Sequence, residues 1–281
     1  PDMRNTEVKF TNVVAIATAN VFGGKASTLR DWRVTFRLTS SIILFISLVL
    51  VVLDKATFQS QDYFIGMIAG VSGGLGIPLA YKAFAQGPVA YVSPLISVVQ
   101  TSAIVIFAVV VGESLGPILV IAFLLGLLGV YLAGKPRVLE TVNLFAVSKT
   151  TIAAALFFSG FSIGMTRIAE GQNITGLAGA RTGVFLVAFT LIRSASPKKD
   201  GKTTNSWLIF TVISALMEFT ANFTYVVAIT NLDLAKVGII ISTSSIFATL
   251  VAIPVMKQRP RLINWIGIMI ATLSLALVAL A

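Results

Sequence analysis

The sequence predicts an all-α polytopic membrane protein, with ten transmembrane helices arranged as two inverted five-helix repeats. Three observations predict this fold. The chain of 281 residues is 56% hydrophobic and 11% charged, which is more apolar surface than a water-soluble domain of this length can bury. The apolar residues form runs of about 20 residues, the length that a bilayer requires of a helix. A polar stretch near the middle of the chain divides the runs into two sets of five.

The first apolar run, Val8 to Lys25, is the weakest, because Asn12, Asn20 and the pair Gly23-Gly24 interrupt it. Basic residues precede it, so the run also resembles a signal peptide. Its apolar character continues through Val21-Phe22 without a clear cleavage boundary. We therefore predict a span here and keep the signal peptide as the alternative.

The other nine runs are clearer, and each is close to the length of a membrane span. They are Val34 to Leu53, Tyr63 to Phe84, Val89 to Val111, Pro117 to Ala133, Phe145 to Met165, Thr175 to Ile192, Trp207 to Ile229, Leu234 to Met256 and Leu262 to Leu280. The third and fourth runs of the chain are Tyr63 to Phe84 and Val89 to Val111. Only a short Gly-Pro connection joins them, so they form a tight helical hairpin.

The central polar stretch invites a search for an internal repeat. We assign residues 1–134 to a first repeat, 135–144 to a linker and 145–281 to a second repeat. A shift of 145 residues pairs Ala83 with Ala228, Ala90 with Ala235 and Ser97 with Ser242, and a shift of 144 pairs Arg37 with Arg181 and Tyr81 with Tyr225. Because five is an odd number, the second repeat enters the membrane upside down relative to the first, as in many secondary transporters.

These features together resemble the ten-helix, EamA-type branch of the drug/metabolite transporter superfamily, over nearly the whole chain. The resemblance is carried by Phe22-Gly23-Gly24-Lys25, where the family has a Trp-Gly opening, by the paired arginines and tyrosines, and by Pro94 and Gly112-Glu113 in the fourth helix. The second repeat departs from the pattern, with Lys257-Gln258 in place of Gly-Glu. The resemblance implies a transporter whose third, fourth, eighth and ninth helices line the substrate pathway.

Glycines follow one face of the third predicted helix at four-residue spacing: Gly66, Gly70 and Gly74. A smooth face of this kind lets another helix approach closely. Close helix packing is therefore the favoured interpretation. Gly73, Gly76 and Pro78 predict a kink, which in transporters can also serve as a hinge.

The fourth and ninth predicted helices each carry a polar stripe at three- and four-residue spacing. The stripes contain Ser93, Ser97, Gln100 and Thr101 in one helix and Gly238, Ser242, Ser245 and Thr249 in the other. Polar stripes facing lipid are costly, so we expect both to face the interior. The stripes could form hydrogen bonds between helices, or they could form two walls of a single polar cavity. The second explanation is favoured, because a stripe occurs at matching positions in both repeats.

Glu218 lies near the middle of the eighth helix, with Asn222 and Tyr225 on the same face. A carboxylate at this depth is expensive unless it is paired, protonated or hydrated, which favours a functional role over a structural ion pair with Arg181 or Lys82. We expect Glu218 to bind and release a proton during transport, or to bind a cationic group of the substrate. The full set of predicted substrate-binding residues is Glu218, Asn222, Tyr225, Arg181, Tyr81, Ser97, Gln100, Ser242 and Ser245.

Arg181 is the main cationic candidate, because its guanidinium can donate two parallel hydrogen bonds to a carboxylate. Lys82 and Arg37 lie near predicted interfaces, so their head groups are expected at the membrane surface. Glu113, at the end of the fourth helix, is expected to bind loop backbone in a structural role.

The formal charge of +10 comes mainly from short loops between apolar runs. This position indicates that the basic residues set the orientation in the membrane and contact lipid headgroups, and it disfavours binding of nucleic acid. The basic residues place the central linker in the cytoplasm and both termini outside, whereas the resembled family has both termini in the cytoplasm. Possible protein partners are a second copy of the chain or a larger membrane complex.

The chain contains no cysteine and no histidine, which removes disulfides, thiol nucleophiles and the commonest zinc and haem ligands. It also has no Gly-Lys-Ser/Thr phosphate loop, His-Glu-x-x-His motif or nucleophile elbow. We predict no cofactor, no metal and no enzymatic activity. The predicted function is secondary transport of small polar metabolites such as amino acids, as an exporter or exchanger, in a prokaryotic plasma membrane. The alternatives are a non-transporting membrane subunit and an intramembrane enzyme.

Overall fold

The structure, a computed structural model, describes residues 3–54, 58–87, 89–133, 144–168, 171–190, 205–229, 234–256 and 261–280. The described regular structure is entirely helical. In chain order the helices are α1 (Met3–Leu29), α2 (Trp32–Asp54), α3 (Ser60–Gln86), α4 (Val89–Val110), α5 (Pro117–Ala133), α6 (Leu144–Met165), α7 (Asn173–Thr190), α8 (Asn205–Ile229), α9 (Leu234–Ser242), α10 (Ser244–Met256) and α11 (Leu262–Leu280).

Six helical stretches in the described residues are long and apolar enough to cross a membrane. They lie in α2, α3, α4, α6, α8 and the stretch Ala235–Val255, which covers most of α9 and α10. Two shorter apolar stretches are Pro117–Ala133 and Leu262–Ser274. Large apolar side chains such as Phe45, Ile68 and Leu124 are exposed on the outside of the bundle, where lipid would cover them. The chain is an integral membrane protein, as the composition predicted.

The described contacts give the helix directions that ten alternating spans require. α3 and α7 are parallel, because Gly66, Gly70 and Gly74 meet Gly176, Ala180 and Val184 in the same order. α1 and α8 are antiparallel, because Asn12 bonds to Ala221 and Ser214 bonds to Ala19. α5 and α11 are antiparallel as well, since Ser274 bonds to Ala122 and Asn264 to Ala133.

The glycine face of α3 makes a backbone-to-backbone contact with α7. Cβ atoms built on Gly66 and Gly70 would overlap the carbonyl oxygens of Gly176 and Ala180. On α7, a Cβ at Gly179 would overlap the carbonyl of Tyr63 in the same way. The expected close packing is therefore present, and it joins one helix from each half of the chain.

Helices of the two halves interlock with exchanged roles. α1 packs against α8 and α10, and α6 packs against α3 and α4. The first and third predicted helices of one half therefore contact the corresponding third and first helices of the other. The hydrophobic core follows these seams, with Phe36, Ile104 and Met165 fully buried.

The ninth predicted span, Leu234 to Met256, corresponds to the apolar stretch Ala235–Val255, but its helix is interrupted. It breaks at Thr243 into α9 and α10. The backbone N–H of Thr243 donates to the Ile240 carbonyl at 3.2 Å and the Thr243 carbonyl accepts from Ile246 at 2.9 Å, both at three-residue spacing. The Thr243 hydroxyl also donates to the Ile240 carbonyl at 2.6 Å. This side chain competes with the helical hydrogen bonds, which explains the break.

Asn264 ties the start of α11 to the end of α5, and its replacement by alanine is expected to destabilise the bundle. Its Nδ2 donates to the carbonyls of Leu132 and Ala133 at 3.2 and 3.0 Å, and its Oδ1 accepts from the Arg261 N–H at 2.7 Å. Losing a cap and a buried hydrogen bond costs about 1–3 kcal/mol. We expect a lower Tm in detergent for Asn264→Ala. Thr272→Ala is the control, because the exposed Thr272 hydroxyl bonds only within its own helix; equal Tm values for the two variants would contradict this role.

Candidate functional site

A cavity of about 150 Å³ lies in the centre of the bundle. It is lined by residues of α1, α3, α4, α6, α7, α8, α9 and α10, so both halves of the chain build it. Most of the lining is apolar, including Ile77, Ile96 and Phe158. A cavity of this volume accommodates a molecule of roughly the size of benzene.

Arg181 and Glu218 form an ion pair in the wall of this cavity. The Nη1 atom of Arg181 lies 3.1 Å from Oε1 of Glu218, and the two side chains are 3% and 18% exposed. Arg181 is on α7 and Glu218 on α8, so the pair links two neighbouring helices. The ion pair with Arg181, which was the structural explanation for Glu218, is therefore present. Both residues also line the cavity.

The guanidinium of Arg181 retains unused hydrogen-bonding capacity. Its Nε is buried and makes no hydrogen bond within the described residues. The guanidinium carbon also lies 5.8 Å from the ring centroid of Phe161, which lines the cavity. A buried N–H without an acceptor is costly, so this group is suited to receive an acceptor from a molecule in the cavity.

The face of α8 that carries Glu218 continues along the cavity through Asn222 and Tyr225. The Asn222 Nδ2 donates to the backbone carbonyl of Glu218 at 2.6 Å. The Tyr225 hydroxyl donates to the Ser162 carbonyl of α6 at 2.9 Å, with its ring against Phe161. The spacing that placed these three side chains on one helical face thus also places them in one cavity.

The polar stripe of α4 is divided between the cavity and a helix contact. Ser93, Ser97 and Gln100 line the cavity, and the Gln100 Nε2 donates to the Ser162 hydroxyl at 3.3 Å. Thr101 instead donates to the Gly238 carbonyl of α9 at 3.1 Å. Both interpretations of the stripe therefore apply, to different residues of it.

The second polar stripe is placed only in part. The side chains of Ser242, Ser245 and Thr249 lie outside the described residues. Gly238 packs against Ile104 of α4. The described residues of this segment that line the cavity are Ile241 and Ser244, on either side of the break between α9 and α10.

The remaining candidates occupy different positions. Tyr81 lines the cavity from α3, with its ring edge-on to Phe36 at 6.3 Å. Lys82 is exposed at the end of α3. Arg37 donates to the Ala188 carbonyl at 3.4 Å. Glu113 accepts a hydrogen bond from the Ala235 N–H in the first turn of α9 at 3.1 Å, which is a structural contact with backbone.

Several lining residues were not among the sequence predictions. Asn20 lies in the cavity wall on α1, although the sequence marked it only as an interruption of an apolar run. Phe158, Phe161 and Ser162 form the α6 wall. Aromatic residues in an apolar helix give no periodic signal, whereas Ser159 and Ser162 at three-residue spacing could have indicated an interior face.

The arrangement offers a cation, an anion and amide groups within a largely apolar chamber. Arg181 can donate to an acceptor such as a carboxylate, and Glu218 can accept from an ammonium group or hold a proton. Among the described residues, no group of three His, Cys, Asp or Glu side chains could hold a metal ion. The guanidinium, carboxylate and amide groups equip this cavity for polar recognition.

Residues 148–280 match the family model described as the EamA-like transporter family. Over these residues the match agrees with the resemblance to EamA-type members of the drug/metabolite transporter superfamily. No curated protein matches the chain. Among the solved structures that match is a crystal structure described only as that of a protein. It has 18% identity, a TM-score of 0.76, and coverage of 100% of this chain and 98% of its own. At this identity the likeness shows the fold alone, over the full length of both chains.

Proposed function

We propose that this chain, whose residues 148–280 carry the sequence pattern of an EamA-like transporter family, is a secondary transporter of small polar metabolites such as amino acids. It works as an exporter or exchanger, by alternating access around the central cavity. The observation that carries this proposal is the Arg181–Glu218 pair in the wall of a cavity that both halves of the chain build.

The proposed mechanism requires two related halves that move against each other. We assign residues 1–134 and 145–281 to these halves, with residues 135–144 between them. The exchanged packing supports an inverted repeat, since α1 lies on α8 and α10 while α6 lies on α3 and α4. Tyr81 and Tyr225, which pair in the sequence alignment, both line the cavity. Tyr81 packs near Gly23 of α1, and Tyr225 packs against Ser162 of α6.

The cavity favours a substrate that is neutral overall but carries both charges. The unused Nε–H of Arg181 receives the substrate carboxylate, and Glu218 receives the ammonium group. Apolar neighbours such as Ile77, Ile96 and Phe158 accommodate the carbon skeleton. A substrate with excess negative charge is disfavoured, because the Arg181 guanidinium in the cavity wall is already paired with the Glu218 carboxylate.

The other predicted site residues supply orientation. Gln100, Asn222, Ser97 and the two tyrosines present amide and hydroxyl groups along the cavity wall. Ser242 and Ser245 remain predictions of the same kind in the second polar stripe. Glu218 is also the proposed proton-coupling residue. When its carboxylate leaves Arg181 and binds a proton, its charge changes during the transport cycle.

Two other classes of function predict different behaviour. A non-transporting subunit needs a partner and has no use for a cavity that carries an ion pair in its wall. An intramembrane enzyme needs a cluster of catalytic groups, for which Glu218, Tyr225 and Lys82 were the candidates; Lys82 is exposed at the end of α3, outside the cavity lining. We place the transporter in a prokaryotic plasma membrane, as a homodimer or as part of a larger membrane complex.

Counterflow in proteoliposomes tests the proposal. Vesicles with purified protein are loaded with unlabelled amino acids, and each labelled compound is offered outside. We expect transient accumulation of at least one zwitterionic amino acid, and a loss of at least about tenfold in Glu218→Gln, which removes the charge with little change in volume.

Glu113→Gln is the matched control, because Glu113 is a carboxylate outside the cavity lining that bonds backbone in α9. This variant should retain counterflow. If Glu218→Gln leaves both the rate and its pH dependence unchanged, the assignment of Glu218 is wrong. Accumulation of no compound by well-folded protein would instead support the subunit alternative.

A further inference from the structure

Three arginines lie together where the first two helices meet. Arg30 directly follows the end of α1, and Arg33 and Arg37 lie on α2. Arg33 and Arg37 are four residues apart, so their side chains share one helical face. All three side chains are half-buried.

These guanidiniums have few negative partners. Asp31 is the only carboxylate that forms an ion pair with any of them in the described part of the chain, and its Oδ2 lies 3.9 Å from Arg33. Arg37 bonds a backbone carbonyl, that of Ala188 on α7. Arg30 lies over the ring of Trp207 on α8, with 4.3 Å from its guanidinium carbon to the ring centroid. The cluster therefore carries an excess of positive charge.

The cluster also lies at the start of the apolar span Trp32–Leu53, where a boundary of the membrane is expected. The arginines bring together the start of α2, the end of α7 and the start of α8. The half-buried Trp32 lies beside Arg33, and tryptophan is enriched at the depth of lipid headgroups. In the sequence, Arg193, Lys198, Lys199 and Lys202 follow α7 directly. The anion present at this depth in a membrane is a lipid phosphate.

We propose that Arg30, Arg33 and Arg37 form a binding site for the phosphate group of an anionic phospholipid. The planar guanidinium suits phosphate because it donates parallel hydrogen bonds to two phosphate oxygens. The acyl chains would extend along the apolar outer surface of α2, where Phe45 and Val52 are exposed. The bound lipid would join α2 to the ends of α7 and α8. This site is separate from the central cavity and does not depend on the transported substrate.

Lipid binding to the purified full chain tests the site. Protein in a neutral detergent is titrated with phosphatidylglycerol or with phosphatidylcholine, and bound lipid is counted by native mass spectrometry. We expect tighter binding of phosphatidylglycerol. In R33Q/R37Q this binding should weaken by about 25-fold, since each arginine contributes about fivefold.

The control variant Lys82→Gln/Lys149→Gln removes the same charge from two exposed lysines outside the cluster and should bind phosphatidylglycerol as the wild type does. Equal weakening in both double variants would mean general charge attraction and would overturn the site. If inorganic phosphate displaced all of the bound phosphatidylglycerol, the ligand of this site would be free phosphate and not a lipid. If R33Q/R37Q does not fold, R33K/R37K keeps the charge but loses the planar fork. Unchanged binding in that variant would contradict arginine recognition.

Discussion

Arg181→Ala is expected to abolish counterflow and to destabilise the protein. Arg181 is 3% exposed and holds Glu218 at 3.1 Å, so its removal leaves a carboxylate without a counter-charge in a low-dielectric environment. Breaking a buried pair from one side typically costs about 3–5 kcal/mol. Thermal unfolding in detergent should show a clear fall in Tm, and proteoliposomes should show no accumulation of labelled amino acid.

The double variant Arg181→Gln/Glu218→Gln separates stability from function. Both charges are absent, and two amides can hydrogen-bond in place of the ion pair, so most of the lost stability should return. Transport should not return, because the charged guanidinium that binds the substrate carboxylate and the charged carboxylate that binds its ammonium group are both still absent. A double variant with wild-type counterflow would show that the pair is only structural. A double variant as unstable as Arg181→Ala would contradict the argument from an unpaired charge.

Much of the fold could be predicted because a bilayer imposes a fixed length on apolar segments. The runs that begin at Val34, Tyr63 and Trp207 each became a helix close to the predicted limits. The break at Thr243 was not predicted, since the Ser-Thr-Ser-Ser sequence lies in an otherwise apolar run of suitable length. Whether a threonine hydroxyl displaces a helical hydrogen bond depends on local geometry that hydropathy does not contain.

The cavity was predicted less completely than the fold. Spacing alone grouped Glu218, Asn222 and Tyr225, because residues on one helical face keep their relation in any packing. The pairing of Arg181 with Glu218 depends on how α7 lies against α8, for which the sequence offered two candidate cations. The α6 wall was missed because Phe158 and Phe161 resemble any apolar pair of a membrane helix. Sequence patterns therefore predicted faces of helices, while the choice of neighbour came from tertiary packing.

Gly70→Ala is expected to disrupt the bundle, although helix propensity alone predicts the opposite. Alanine in place of glycine stabilises an isolated helix by about 1 kcal/mol. Here the added Cβ would overlap the carbonyl oxygen of Ala180, and its carbonyl carbon and Cα would lie 2.6 and 2.7 Å away. Backbone atoms cannot rotate aside, so α3 and α7 must separate. Overpacking costs about 1–3 kcal/mol and occasionally more, and the neighbouring contact at Gly66 would be strained as well. We expect a lower Tm and a lower yield of folded protein.

Gly116→Ala is the matched control, because a Cβ at Gly116 would meet nothing within 4 Å. The two variants add the same methyl group, so their difference isolates the close contact between α3 and α7. A Tm at or above the wild-type value for Gly70→Ala would mean that the helices can separate without loss. α3 and α7 come from different proposed halves. Such a result would therefore also mean that their contact is not a rigid connection between the halves. A large loss confined to Gly70→Ala would indicate that the close contact between α3 and α7 stabilises the bundle.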